Sequence, residues 1–400
     1  MSLRHKLVIV AGVYVVEGFP MGVFADLVPV FLARHDVSLA LIGLLSALSY
    51  AWVAKVLWSP LIDRYGERRQ WITGANLAMA ACLLGVAAAQ PTPTGLGFLL
   101  WACLGIFCLA SATQDVAIDA YSIGLCDRGE EGPFNSGKAA AYRVGMLLAG
   151  GALLAMPRFI GWSGTFVVAA GLCVAFAIGV RTAPAVPVPE ESRKTTLAPL
   201  RQWLSQGGAL PVFLFAMLFR IGDRAMGPMV KPFWVHSGFS DGEIALVNNT
   251  LGIAAIVAGG IVGGIGVARF GIGRSLWAMG IFALASNFGY AAAAAIPETG
   301  KLGVYAASLI ESFTAGLAGA AFLSYFMRIC QKQHAAVQYA LLTATYGLTG
   351  TTIAIPSGLI TEQIGYAAYF ALTGLYALPA FFFLPRARRW IGEDRAYSAG

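Results

Sequence analysis

Charge is what this 400-residue chain has least of: Asp, Glu, Lys and Arg together make up 12% of it. Water-soluble domains carry about a quarter charged residues, so a soluble globular fold is excluded. Histidine is scarce as well. The four (His5, His35, His236 and His334) fall in loops or near helix ends, so proton transfer inside the apolar spans would rest on carboxylates. The six cysteines form no Cys-x-x-Cys pair and lie mostly in apolar runs, which marks them as reduced packing residues, not a metal or redox centre. A nucleophile elbow, a phosphate-cradling glycine loop and a His-rich metal cluster are all missing, so no enzyme and no cofactor are expected. The net charge of +7 is scattered through loops and forms no stripe, which speaks against nucleic acid as a partner.

What fills the chain is apolar: 58% hydrophobic residues and 48 glycines, with a mean hydropathy of +0.71. Spans of about 20 apolar residues cross a bilayer as helices. Twelve can be laid out: 6–33, 38–62, 71–89, 96–122, 136–157, 160–180, 209–235, 241–268, 275–296, 301–329, 337–361 and 366–385. The expected fold is an all-α membrane protein. Arg4-His-Lys6 before an apolar run imitates a signal peptide, but Glu17 and Asp26 interrupt that run and no small-x-small site follows, so a retained first span is expected.

Residues 181–207 are Pro-rich, charged and without apolar periodicity, which reads as a cytoplasmic linker. It divides the chain into a six-helix bundle at 1–180, a second at 208–386 and a tail at 387–400. With the N-terminus inside, eighteen loop lysines and arginines face the cytoplasm and three (Arg34, Arg158, Lys301) face out, so both termini are expected to be cytoplasmic. The halves also echo each other at an offset of 205: Met21-Gly22 falls on Met226-Gly227, Arg64-Tyr-Gly66 on Arg269-Phe-Gly271, and Gly145 on Gly350. Such duplication is a transporter signature, with substrate bound between repeats near the midplane.

Six cations and six acids remain at membrane depth: Lys55, Lys138, Arg143, Arg220, Arg224 and Lys231 against Glu17, Asp26, Asp115, Asp119, Asp223 and Glu311. A charge facing lipid at a helix centre costs roughly 2.5–3.5 kcal/mol, so these residues must pair, line water or reach a helix end. Asp115 and Asp119 are four apart and share a helical face, with Gln114 at its edge. Lys138 and Tyr142 share a face on the next span, with Arg143 beside them. The two aspartates could neutralise Lys138 and Arg143, or one could carry a proton. Glu17, just before Gly-Phe-Pro20, and Glu311, on a small-residue helix, are further proton candidates. On span seven Arg220, Arg224 and Lys231 follow one face with Asp223 beside Arg220. They form either inter-helix ion pairs or a cationic wall for an anionic substrate. The loop carrying Asp63, Arg64 and Arg68, echoed by Arg269, is either ordinary positive-inside decoration or a charged latch on the inward gate.

Twelve spans in two halves, a long central linker and Asp63-Arg-Tyr-Gly-Glu-Arg-Arg69 resemble the major facilitator superfamily. More specifically, Lys55-Val-Leu-Trp-Ser-Pro-Leu-Ile-Asp63-Arg64, Thr113-Gln-Asp-Val-Ala-Ile-Asp119-Ala and Tyr142-Arg-Val-Gly-Met146 resemble the AmpG-type muropeptide permeases. Arg220-Ile-Gly-Asp223, Gly242-Glu-Ile-Ala-Leu-Val-Asn248 and Gln338-Tyr-Ala-Leu-Leu342 continue the likeness. That group also holds acetyl-CoA transporters and compact siderophore permeases. The resemblance implies a monomeric, proton-coupled importer of a bulky, partly anionic solute in a bacterial inner membrane. Proton carriers would come from Glu17, Asp115, Asp119, Asp223 and Glu311. Substrate contacts would come from Lys55, Gln114, Tyr142, Arg143, Arg220 and Arg224. A proton-driven exporter is the alternative within transport; a membrane-embedded enzyme or receptor is the alternative outside it.

Overall fold

The computed structural model describes residues 1–400 apart from 65–66, 90, 93–94, 127–130, 187–208, 330–334 and 392–400. Among the described residues the chain is helical, with one isolated bridge between Thr92 and Gly95 as its only β pairing. Eight helical stretches among the described residues are long and apolar enough to cross a membrane. Of the remaining expected spans, eleven is one continuous helix, Ala335–Ala354, and the other three are interrupted. Span two runs as short α and 3-10 pieces from Leu39 to Arg64, span five ends in a π segment at Leu148–Ala152, and span seven is split into Ala209–Leu218 and Ile221–His236. Most of the linker anticipated at 181–207 lies outside the described residues.

The interruptions have local causes. Pro20 has no N–H to give the Val16 carbonyl, and the first helix, Leu3–Gly22, passes into a π segment at Val23–Leu27 directly afterwards. Span seven breaks at Phe219-Arg220, and its second piece contains Pro228 and Pro232. Broken and π-bulged membrane helices are where functional side chains are usually placed.

The helices pack into two compact units, Met1–Lys194 with Trp234–Thr250, and Thr195–Phe233 with Leu251–Gly400. In the first unit span one lies against span five, span three against spans four and six, and span two against span four. In the second, span seven lies against eleven, nine against ten and twelve, and eight against ten, the same pairings six spans later. Backbone conformation repeats too. The left-handed residues Asp36, Gly97 and Gly161 recur as Gly238, Gly300 and Gly365, at separations of 202, 203 and 204. Each unit has its own core, Val10, Val13, Ile118 and Tyr121 in the first, and Phe215, Phe219, Phe322 and Tyr325 in the second.

Spans one and five touch backbone to backbone. A Cβ on Gly145 would lie 2.8 Å from Phe19 N and 2.9 Å from the Gly18 Cα, and one on Gly18 would meet the Tyr142 carbonyl. Glycine is required at this crossing because any side chain would hold the helices apart. It is this crossing that sets Tyr142 and Arg143 beside the polar face of span one.

Candidate functional site

Most of the polar residues singled out in the first half converge in one cluster. Lys55, at the 3-10 turn of span two, forms an ion pair with Asp115 on span four. Trp58 Nε1 donates to Thr113 Oγ1 at 3.1 Å just beside it and ties the same two spans. Asp115 therefore pairs with Lys55, and not with Lys138 or Arg143 as one sequence-based alternative had it. Glu17 comes across from span one to stand beside Asp115, within electrostatic reach of Asp119 and Lys55. Its second oxygen, Oε2, is buried without a partner among the described residues.

Asp119, one helical turn on, accepts from Tyr14 Oη at 2.5 Å. Tyr14 was not anticipated from the sequence, although it sits three residues before Glu17 on the same helical face. Lys138 Nζ lies over the Tyr14 ring, 5.1 Å from its centroid. These groups open onto a cavity of ≈ 430 Å³ lined by Tyr14, Asp119, Lys138, Ala139, Tyr142 and Arg143. Arg143 has no carboxylate partner among the described residues. Gln114 is fully buried on span four, with neither amide atom hydrogen-bonded among the described residues, and it does not line this cavity.

The second unit holds a smaller cluster of the same kind. Arg220, at the break of span seven, donates to Asp223 Oδ2 from Nε at 3.1 Å and Nη2 at 3.0 Å. Glu311 on span ten lies within electrostatic reach of Arg220, Asp223 and Lys231, and accepts a 3.4 Å hydrogen bond from the Ser312 hydroxyl. Two of the three cations of the expected wall thus have acidic neighbours. Arg224 does not share them; its guanidinium lies 4.7 Å from the centroid of the Tyr346 ring and is exposed. Gly350 gives it room, since a Cβ there would sit 3.0 Å from Arg224 Nε.

The side chains of Asp63 and Arg64 lie outside the described residues. Arg68 is buried and donates to the Ala120 carbonyl at 2.9 Å, near the end of span four. Arg269 stands exposed in the last turn of span eight. A further set, missed in the sequence, joins Trp234–Thr250 to the rest of the first unit. Arg34 Nε bonds Asp241 Oδ1 at 2.7 Å and a second Arg34 nitrogen donates to the Phe239 carbonyl. Asn249 donates to the Gly150 carbonyl. No group of three or more His, Cys, Asp or Glu suited to a metal ion occurs among the described residues.

The sequence model of the Major Facilitator Superfamily matches residues 10–354. The anhydromuropeptide permease of Escherichia coli K12 is 28% identical over 390 residues, covering 95% of this chain and 79% of its own. Among solved structures, a bacterial homolog of the human lysosomal transporter Spinster, inward-facing and occupied, superposes with a TM-score of 0.76 over 98% of both chains at 14% identity. A D-xylose–proton symporter gives 0.72 over 96% of this chain and 97% of its own, at 15% identity.

Proposed function

Because the chain belongs to the major facilitator superfamily, we propose that it is a proton-coupled importer of an anionic, muropeptide-like solute. It is a multi-pass integral membrane protein and a secondary active transporter of an organic solute, not an enzyme. The reading of its cargo rests on one arrangement in the first unit. A cluster of three neighbouring carboxyl groups (Glu17, Asp115 and Asp119) adjoins a cavity presenting Lys138, Arg143 and two phenols. The cations suit the carboxylates of a peptide-bearing sugar, the phenol rings suit its sugar faces, and the neighbouring acids supply the proton site. Similarity to the anhydromuropeptide permease supports this choice of cargo.

In the proposed cycle the acid cluster takes up a proton on one side and gives it up on the other, with Lys55 neutralising whichever carboxylate is left charged. Alternating access between the 1–180 and 208–386 halves, joined by the cytoplasmic linker, couples this to solute movement. The termini face the cytoplasm, the membrane is the bacterial inner membrane, and the working unit is the monomer.

The test is uptake of a radiolabelled anhydromuropeptide into proteoliposomes under an imposed pH gradient, with siderophores and acyl-CoA as competitors. Asp119→Asn and Asp115→Asn should abolish uphill accumulation while permitting exchange down the solute's own gradient. Uptake indifferent to the pH gradient in the unaltered protein would reject proton coupling, and competition by siderophores alone would reject the cargo.

A further inference from the structure

Opposite charges that share a cavity at membrane depth ordinarily collapse onto each other, because each is worth more paired than alone. Lys138 and Asp119 line the same cavity within electrostatic reach of one another, yet among the described residues they form no ion pair. The side chain that occupies both is Tyr14. Its hydroxyl takes one oxygen of Asp119 at 2.5 Å, and its ring lies beneath the Lys138 ammonium at 5.1 Å. Tyr14 is 5% exposed and fixed in the core of span one between Val13 and Val16, so it cannot be displaced without moving that helix.

We propose that Tyr14 is a positioning residue that holds Lys138 and Asp119 apart, leaving the lysine for an anionic group of the solute and the aspartate for a proton. The proposal rests on the functional reading above. The phenol serves each group with a different part of itself: the O–H as a donor to the carboxylate, the π face as a weak partner for the ammonium. A cation–π contact is weak enough to be exchanged for a solute carboxylate, whereas a salt bridge to Asp119 would have to be broken first. Once Asp119 is protonated its demand for the phenol proton falls, and Ser122 Oγ, 3.3 Å from Tyr14 Oη, offers an alternative partner. The other charged groups facing this point are Glu17 on span one, Lys55 on span two, Asp115 on span four and Arg143 on span five. Lys55 is already committed to Asp115, and of the two cations lining the cavity it is Lys138 that lies within electrostatic reach of Asp119, so Lys138 is the cation that Asp119 would capture if Tyr14 released it.

Tyr14→Phe isolates the effect, since it keeps the ring and removes only the hydroxyl. In purified protein, labelling of Lys138 by an amine-reactive ester, read by peptide mass spectrometry, should slow about fivefold as the ammonium becomes clamped to Asp119. Adding Asp119→Asn should restore the original rate, because nothing is left to clamp it. In proteoliposomes the same pair of variants should raise and then restore the KM for anhydromuropeptide exchange. Unchanged or faster labelling in Tyr14→Phe overturns the proposal, as does slow labelling that persists in the double variant. The labelling arm needs no solute, so a failure of anhydromuropeptide uptake in the unaltered protein would reject the functional reading while leaving this inference to stand or fall on Lys138.

Discussion

Glu17→Gln and Asp115→Asn each remove one carboxyl group from the same cluster, and they should nevertheless affect stability very differently. Asp115 is the ion-pair partner of Lys55; the two side chains are 15% and 31% exposed. Removing one member of a fully buried pair costs about 3–5 kcal/mol. The one-third exposure of Lys55 screens part of that, and Glu17 stands close enough to Lys55 to take over another part. The expected cost of Asp115→Asn is therefore about 1–2 kcal/mol. Glu17→Gln leaves the Lys55–Asp115 pair intact, and its amide can donate to Asp115. Its expected cost is about zero, within roughly 0.5 kcal/mol.

Combining the two strips Lys55 of its partner and of the substitute, so the double variant should lose about 3 kcal/mol, more than the sum of the singles. Urea-dependent unfolding of the protein in mixed micelles, followed by tryptophan fluorescence, would measure all three. Equal destabilisation by Glu17→Gln and Asp115→Asn would refute the asymmetry. A double variant no worse than Asp115→Asn would show that Glu17 does not back up the pair. Transport supplies a separate readout: substrate-induced proton uptake should vanish in Glu17→Gln even though the protein is stable.

Gly145→Ala places a methyl group against Phe19 N and Gly18 Cα, so it should destabilise the protein by about 1–3 kcal/mol and weaken solute binding, because Tyr142 and Arg143 move away from span one. Loss of stability with unchanged affinity would detach that crossing from the site. Arg224→Ala should weaken an anionic solute about tenfold without altering unfolding, since the side chain has a ring partner and no acidic one among the described residues; equilibrium binding by the purified protein checks it.

The spans were legible because membrane helices must be apolar for about 20 residues, a constraint that composition alone reveals. The Arg220–Asp223 pair was legible too, since three residues on a helix make neighbours. The Lys55–Asp115 partnership was not. It joins residues 60 apart in sequence, and periodicity fixes the face of each helix but not which faces meet. Tyr14 could have been found from its position three residues before Glu17; it was missed because a tyrosine in an apolar helix reads as packing until its hydroxyl partner is known. Asp26, near the end of span one, is buried in the fold and lies in the π segment at Val23–Leu27. No propensity in Val-Phe-Ala-Asp-Leu announces that segment.

That π segment meets two others, and their junction yields the last prediction. Leu148–Ala152 on span five and Ile244–Leu251 on span eight are also π-helical. At their meeting point Asn249 donates to the Gly150 carbonyl, and a Cβ on Gly150 would lie 2.5 Å from Asp26 Oδ2 and 3.0 Å from Asn249 Nδ2. A carboxylate and an amide from two other helices thus crowd a position that only glycine can fill. The Arg34–Asp241 ion pair joins span one to the start of span eight. If this contact must part during transport, Gly150→Ala should favour the parted state by about 1–2 kcal/mol, the usual cost of forcing a methyl into a filled space. That is roughly a five- to thirty-fold change in the ratio of the two conformations. Spin labels at Val37 and Gly242, measured by pulsed electron resonance in proteoliposomes, should then show a longer distance gaining population. Transport by Gly150→Ala should slow while equilibrium affinity stays within a few fold, because the substitution biases a conformation and touches no solute contact. A distance distribution identical to that of the unaltered protein would mean that the junction is fixed packing, and that the three π segments serve the fold, not the transport cycle.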